Sequence, residues 1–362
     1  MIAPFPYAGG KSRVAPVVWQ RFGDAENFVE AFAGSLAVLL ARPTPGRIET
    51  VNDLDAMVSN FWRAVKHDPE GVAEWADDPV NEVDLSSRHA WLMQSGKGIV
   101  ERCLGNPDFY DTKCAGWWLW GICQWIGGGW CSGNGPWRII DGKLVNTGEP
   151  GGNKRQLPHL GDAGMGINRK LPHLGDAGMG INRQLPHLGN AGRGINRKLP
   201  HLGNAGRGIN RGGNGTCAER TRMLLDTMQA LCDRLRNVRV CCGDWTRVLG
   251  PSVTEINGIT AIFLDPPYSH AERDSGMYSC ETDCSGAVRD WAIANGDNPM
   301  LRVCLCGYSG EHVMPPGWEC YAWKAAGGYG SQGNGRGREN AQRERLYFSP
   351  HCLRPTLFGL EE

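Results

Sequence analysis

The chain has no net charge to offer a polyanion, because its 38 lysines and arginines are matched by 38 aspartates and glutamates. That balance excludes a uniformly basic nucleic-acid binder, but not one whose positive charge is local. A long apolar run is also missing. Residues 114–137 carry no formal charge, yet the densely apolar part, Trp117 to Ile126, is too short to span a bilayer, and Gly127-Gly128-Gly129 follows it. No charged-then-apolar leader precedes Tyr7-Ala8-Gly9-Gly10-Lys11, so the expected compartment is the cytoplasm. Fourteen cysteines in 362 residues fall short of disulfide-scaffold density. Cys280-x3-Cys284 and Cys304-x-Cys306 lack zinc-finger spacing, so the thiols read as reduced and mostly buried, and no metal is expected.

What is present centres on Ile259-Thr260-Ala261-Ile262-Phe263-Leu264-Asp265-Pro266-Pro267-Tyr268. The apolar, β-rich run predicts a buried strand, and two prolines without N–H groups then forbid further ladder bonding. Their fixed φ holds the Asp265 carboxylate, the nearby carbonyls and the Tyr268 ring with little freedom. Such an acceptor-rich turn with an aromatic face suits an amine conjugated to a base. That amine becomes nucleophilic when Asp265 and the Pro266 carbonyl draw its hydrogens while Tyr268 stacks on the ring.

From the start of the chain, Pro4 to Lys11 is rich in turn formers, and Ser12 is placed to cap a helix through Val14, Val17 and Val18. Gly9-Gly10-Lys11 reads equally as a ligand-approaching cradle or as a solvated turn, and it lacks the full P-loop pattern. Asn27 to Ser35 reads as a strand entering a tight turn, with a helix from Leu36 to Leu40. Strand, glycine turn and helix N-terminus is the arrangement that receives a nucleotide-like cofactor in an open α/β sheet. Val51-Asn52-Asp53 ends a second strand and sets a carboxylate where ribose hydroxyls would donate. Leu54, Met57, Val58, Phe61, Trp62 and Val65 then fall at helical spacing.

In this order, Tyr7-Ala8-Gly9-Gly10-Lys11, Phe28 to Gly34, Asn52-Asp53 and Asp265-Pro266-Pro267-Tyr268 resemble the DNA adenine N6-methyltransferases of the Dam or D12 class, common in bacteria and phages. The resemblance implies S-adenosylmethionine as cofactor, double-stranded DNA as partner and a cytoplasmic bacterial or phage-infected setting, with restriction–modification as a context. It assigns cofactor binding to Tyr7, Lys11, Glu30, Phe32, Gly34, Asp53 and Asp244, and catalysis to Asp265, Pro266, Pro267 and Tyr268. One departure stands out: Leu36 occupies the second glycine position of the family's Phe-x-Gly-x-Gly turn.

Residues 67–216 interrupt the alternation of strand and helix and form the expected target-recognition insert, leaving 1–66 and 217–362 as the catalytic domain. Within the insert, Trp117, Trp118, Trp120, Trp125, Trp130 and Trp137 crowd a Gly-rich stretch. Most are expected to pack in a core poor in regular structure, with one or two left to stack on bases. A fourteen-residue unit beginning Leu157-Pro158-His159-Leu160-Gly161 recurs at 171, 185 and 199. Residues 154–211 hold ten Lys/Arg against Asp162 and Asp176, hence +8. The array reads either as a DNA-contacting arm or as an expansion in a tolerant loop. After it, Met223 to Leu235 predicts a helix and Val238 to Cys242 a strand ending in Gly243-Asp244-Trp245. Residues 301–306 and 345–348 predict further strands, with a basic loop from Gly327 to Arg338 between them.

The expectation is therefore a Rossmann-like α/β methyltransferase fold with an inserted recognition domain. The expected reaction is site-specific methylation of adenine N6 after base flipping. Methylation of cytosine N4 or an RNA base, or a catalytically silent DNA-binding protein of the same fold, are the alternatives.

Overall fold

The computed structural model describes residues 1–7, 9–125, 130–131, 137–140, 143–146, 217–268, 284–324, 342–356 and 359–361. The fourteen-residue repeats, Gly327–Arg338 and Cys280 lie outside them. The chain runs through α1 (Ala15–Phe22), β1 (Asn27–Glu30), α2 (Ala37–Leu40), β2 (Ile48–Asp53) and α3 (Ala56–His67). Helices α4 (Pro69–Ala76), α5 (Glu82–Gly105) and α6 (Thr112–Gln124) follow, then a hairpin of β3 (Trp137–Ile140) and β4 (Lys143–Asn146). The second half holds α7 (Cys217–Leu235), β5 (Val238–Cys242), α8 (Pro251–Thr254), β6 (Thr260–Leu264), α9 (Ser285–Asn295) and β7 (Leu301–Tyr308). Strands β8 (Glu319–Ala322) and β9 (Glu344–Phe348) complete the main sheet, and β10 (Arg354–Thr356) pairs with β11 (Gly359–Glu361).

Seven strands form one mixed, mostly parallel sheet in the order β5-β2-β1-β6-β7-β9-β8, with β9 antiparallel to both its neighbours. Its central strands are buried on both faces, which is why they read as near-continuous apolar runs. In β6, Ala261 and Phe263 enter one core and Ile262 and Leu264 the other. In β7, Cys304 and Cys306 share the first core while Val303 and Leu305 enter the second. The period of two therefore accounts for the Cys304-x-Cys306 spacing: both thiols fill the same face of one buried strand.

Most expected elements appear within a residue or two of their sequence limits. The start of α1 differs. Val14, not Ser12, occupies the N-cap, and Pro16 stands in the first turn, where its missing N–H leaves no intrahelical bond unmade. The tryptophan-rich stretch differs more. Trp117, Trp118 and Trp120 lie within the thirteen-residue α6, not in a segment poor in regular structure. Asp111 caps this helix, its carboxylate accepting the Cys114 N–H at 2.8 Å. Gly116 and Gly121 weaken its helical signature, but both are sites of close approach. A Cβ at Gly116 would collide with Trp75, and one at Gly121 with the Trp130 ring. Trp118, Trp120 and Trp130 are buried, Trp117 and Trp125 half-buried, and all pack on the core that also holds Phe61 and Trp62. The described helices of residues 67–216 thus share the core on one face of the sheet.

β1 lies between β2, reached through α2, and β6, reached from the far end of the chain. Adjacent strands whose connections leave in opposite directions open a crevice at their carboxyl ends. Glu30 ends β1 there, and Asp265 follows the last residue of β6.

Candidate active site

The crevice is shaped first by the turn after β1. Gly34 has φ +46°, and a Cβ on it would stand 2.8 Å from two carbons of the Tyr7 ring, so the turn needs glycine for backbone and for space. Its N–H donates to Asp53 Oδ2 at 2.8 Å, and its carbonyl accepts the Trp62 indole N–H at 2.9 Å. Tyr7, Asp53 and Trp62 thereby brace one glycine from three parts of the chain.

Two residues on, Leu36 adopts a left-handed backbone with φ 54° and ψ 31° while its side chain is fully buried. The position that the resemblance gives to a second glycine is thus left-handed here, but filled by leucine. For a bulky residue that conformation costs about 1–2 kcal/mol. Truncating a buried leucine costs about 3–5 kcal/mol. Leu36→Gly is therefore expected to destabilise the protein by a net ~1–4 kcal/mol, since packing outweighs backbone relief. Chemical denaturation checks this, and a variant more stable than the parent would contradict it.

Glu30, Asp53 and Asp244 are among the carboxyls that line the crevice near this turn. Glu30 is 2% exposed and accepts the Leu39 N–H at 3.2 Å, which ties the end of β1 to α2. Burial pushes its pKa up to about 8, against the opposing pull of the Leu39 and Val38 N–H groups. Asp53 also accepts the Asp55 N–H at 2.8 Å; burial, with the Asp55 charge adding to it, raises its pKa to about 7. Asp244 is exposed and caps a short 3-10 helix at Trp245–Val248, accepting the Thr246 N–H at 3.0 Å.

Two further lining residues carry no role in the sequence-based assignment. Trp245 faces Phe32 with ring centroids 6.5 Å apart and planes 28° from parallel. Asn52 donates to the Ala31 carbonyl at 3.2 Å and to Gly243 at 2.9 Å, clamping the ends of β1 and β5 around β2. Asn52 and Trp245 stand beside Asp53 and Asp244 in the sequence, but nothing local separates them from ordinary core residues.

On the other wall, Lys11 meets the turn after β6. Its Nζ lies 2.8 Å from Asp265 Oδ2 and donates to the Gly9 carbonyl at 2.8 Å. Although burial opposes the ammonium, the Asp265 and Glu344 carboxylates hold its pKa well above the ordinary value. The glycine-lysine turn is thus neither a solvated connector nor a cradle with an unpaired cation. Pro267 lines the crevice, while Pro266 is buried. Tyr268 is only 6% exposed, with its ring edge-on to Tyr308 at 4.3 Å and its hydroxyl donating to Glu344 Oε2 at 2.7 Å. Burial raises the pKa of that hydroxyl well above the ordinary phenol value.

Of the residues singled out from sequence, Tyr7, Lys11, Glu30, Phe32, Gly34, Asp53, Asp244, Asp265 and Pro267 line one cleft. Pro266 and Tyr268 sit behind its wall. Among the described residues, no group of three or more His, Cys, Asp or Glu side chains is arranged to hold a metal. No helix among them is long and apolar enough to cross a membrane.

Residues 7–89 match the family model of D12 class N6 adenine-specific DNA methyltransferases. No curated protein matches the chain. The match supports an adenine-specific DNA methyltransferase and implies a DNA substrate. It covers Tyr7, Lys11, Glu30, Phe32, Gly34 and Asp53, and it ends before Asp244 and the Asp265–Tyr268 turn. The mostly parallel seven-stranded sheet is consistent with a methyltransferase fold. The cleft therefore combines residues of the matched segment with residues more than 150 positions further along the chain, since Asp265 lies 176 positions beyond residue 89.

Proposed function

We propose that the protein transfers a methyl group from S-adenosylmethionine to adenine N6 in DNA, with the target base flipped out of the duplex into the cleft beside Asp265. The observation that carries this reading is the set of carboxyl acceptors in the cleft: Glu30, Asp53, Asp244 and Asp265 line it, and Lys11 is already paired with Asp265. Such a lining offers no cation to a polyphosphate and suits a cationic nucleoside with hydroxyl and amine donors, whose charge favours the ionised form of the buried carboxyls. The donor set fits S-adenosylmethionine, which when bound supplies a methyl already activated on a sulfonium. Asp53 would hold the ribose hydroxyls, Asp244 the adenine amine of the cofactor, and Phe32 with Trp245 its ring. Glu30 supplies the acidic surroundings a cation needs.

At the substrate end, Asp265 and the Pro266 carbonyl accept the two amine hydrogens, which keeps the nitrogen lone pair out of conjugation with the base. One amine proton is released as the carbon–nitrogen bond forms and the methyl–sulfur bond breaks, and Asp265 is the group positioned to take it. In a pair, adenine N6 is bonded to thymine at the major-groove edge and is out of reach of a recessed site, so the base is flipped in this reading. Residues 67–216 supply target recognition in this reading, with the basic repeats as a phosphate-contacting arm. Deleting 171–198 removes Arg183, Arg193, Arg197 and Lys198 against Asp176, four minus one, a net +3. The log–log salt slope of DNA binding is then expected to fall by up to roughly three. An unchanged slope would return the repeats to the status of a tolerated expansion.

The function itself is tested by incubating unmodified DNA with the full chain and S-adenosylmethionine and sequencing with base-modification detection. N6-methyladenine confined to one sequence context is expected. N4-methylcytosine, or no modified base with active-site-intact protein, would overturn the proposal.

A further inference from the structure

Behind the Asp265 turn lies a buried cluster that the roles above leave unused. Lys11 Nζ is 2.8 Å from Asp265 Oδ2 and 3.9 Å from Glu344 Oε2. Side-chain exposure is 3% for Lys11, 6% for Glu344 and 20% for Asp265. Glu344 opens β9 and pairs in register with Tyr308 of β7. Its Oε2 accepts the Tyr268 hydroxyl at 2.7 Å. One ammonium is thus shared unequally by two carboxyls, and the second carboxyl also holds the tyrosine of the turn.

This arrangement bears on a conflict in the chemistry. An ammonium bonded to Asp265 withdraws electron density from the carboxylate that must accept the hydrogens of the substrate amine. A buried lysine cannot simply leave, because an unpaired buried charge is strongly unfavourable. Glu344 resolves the conflict if the lysine can close its 3.9 Å separation to the 2.8 Å it now has with Asp265, a normal length for a charge-assisted bond. We infer that Glu344 is a positioning residue for methyl transfer: it fixes the Tyr268 ring through the hydroxyl and offers Lys11 a second carboxylate, so that Asp265 can exchange the lysine for the substrate amine. The inference rests on the function proposed above. It adds a residue outside the family match, from a strand that lines no part of the cleft.

The test compares the full-length parent with Glu344→Gln, Glu344→Ala and Tyr268→Phe. Single-turnover methylation is normalised to the number of S-adenosylmethionine-binding sites, so that loss of folded protein does not count. Glu344→Gln keeps an acceptor for the tyrosine but removes the charge, and its rate per site is expected to fall about tenfold. Glu344→Ala removes both and is expected to fall about a hundredfold, with cofactor Kd and the KM for DNA within about threefold. Tyr268→Phe should fall less than Glu344→Ala. A Glu344→Ala protein with parental rate per site, its lower bulk activity matched by fewer sites, would overturn the inference and leave Glu344 a fold residue.

A second readout does not depend on methylation. In protein labelled with 15N-lysine, the Lys11 ammonium resonance, assigned through Lys11→Arg, is expected to shift in Glu344→Gln relative to the parent. An unmoved resonance would overturn the shared-lysine arrangement. Failure of the parent to produce methyladenine, with the resonance shifting as expected, would sink the proposed function while leaving the lysine between its two carboxylates.

Discussion

Replacing Asp265 by alanine is expected to lower the single-turnover rate of methylation by about three orders of magnitude while S-adenosylmethionine affinity stays within about tenfold. The carboxylate lies at the end of a strand buried on both faces, and prolines at the next two positions leave its backbone almost no freedom. Its contribution is to accept hydrogens from an amine that becomes acidic only as the methyl group arrives, so most of its effect falls on the transition state. Cofactor binding is affected indirectly. Without Asp265, the Lys11 ammonium retains the Gly9 carbonyl and turns to Glu344, 3.9 Å away in the parent. An added cation without its nearest carboxylate repels the sulfonium, and this sets the direction of the smaller change. Asp265→Asn, which keeps shape and loses charge, should fall between the two. Rapid-quench methylation and calorimetric titration of the cofactor separate these quantities, and near-parental turnover in Asp265→Ala would remove it from the reaction.

The parts of this site that were legible in the sequence are those whose chemistry is local. Thr260 to Leu264 could be read as a buried strand because both faces are covered, and Asp265 as its aimed terminus because two prolines follow. The glycine turn was legible in outline, yet Leu36 shows why outline is not geometry. The left-handed backbone is held by the carbonyl of Ala33, which accepts the Leu36 N–H at 2.8 Å, and by full burial of a side chain that pattern alone reads as helix core. Helix α6 was obscured because Gly116 and Gly121, which in a sequence count against helix, serve the approach of Trp75 and Trp130. Strand β8 alternates half-buried and exposed residues at the sheet edge and offers no apolar run to read.

The Tyr268 ring illustrates a different limit. Its motif suggests a platform for a base, where the ring matters more than the hydroxyl. That hydroxyl instead has a partner 76 residues away, on a strand whose pairing no local pattern announces. Long-range polar contacts of this kind are fixed by topology, and topology emerges only once the sheet order is known.

The second large effect is electrostatic. Glu30 moves from an ordinary 4.5 to about 8 because burial disfavours its charged form, with Asp265 adding repulsion. The folded protein therefore keeps this proton up to about pH 8, whereas the unfolded chain releases it near pH 4.5. Between those values the folded state binds more protons, so stability is fully present below pH 4.5 and is lost as pH rises towards 8. A shift of this size corresponds to something on the order of 5 kcal/mol across the window. Asp53, raised to about 7, acts in the same direction, but its partial exposure reduces its share. Glu30→Gln removes the titrating group while keeping an acceptor for the Leu39 N–H. Denaturation midpoints across pH 5–8.5 are expected to fall in the parent and to flatten in the variant; parallel curves would show that Glu30 ionises normally. A cation bound in the cleft should reverse the parental preference, because it stabilises the carboxylate that burial opposes. S-adenosylmethionine is accordingly expected to bind the parent more tightly as pH rises through 8, with release of a proton, and to bind Glu30→Gln with little pH dependence. Titrations in buffers of different ionisation enthalpy count that proton, and equal proton release by both proteins would assign it to a group other than Glu30.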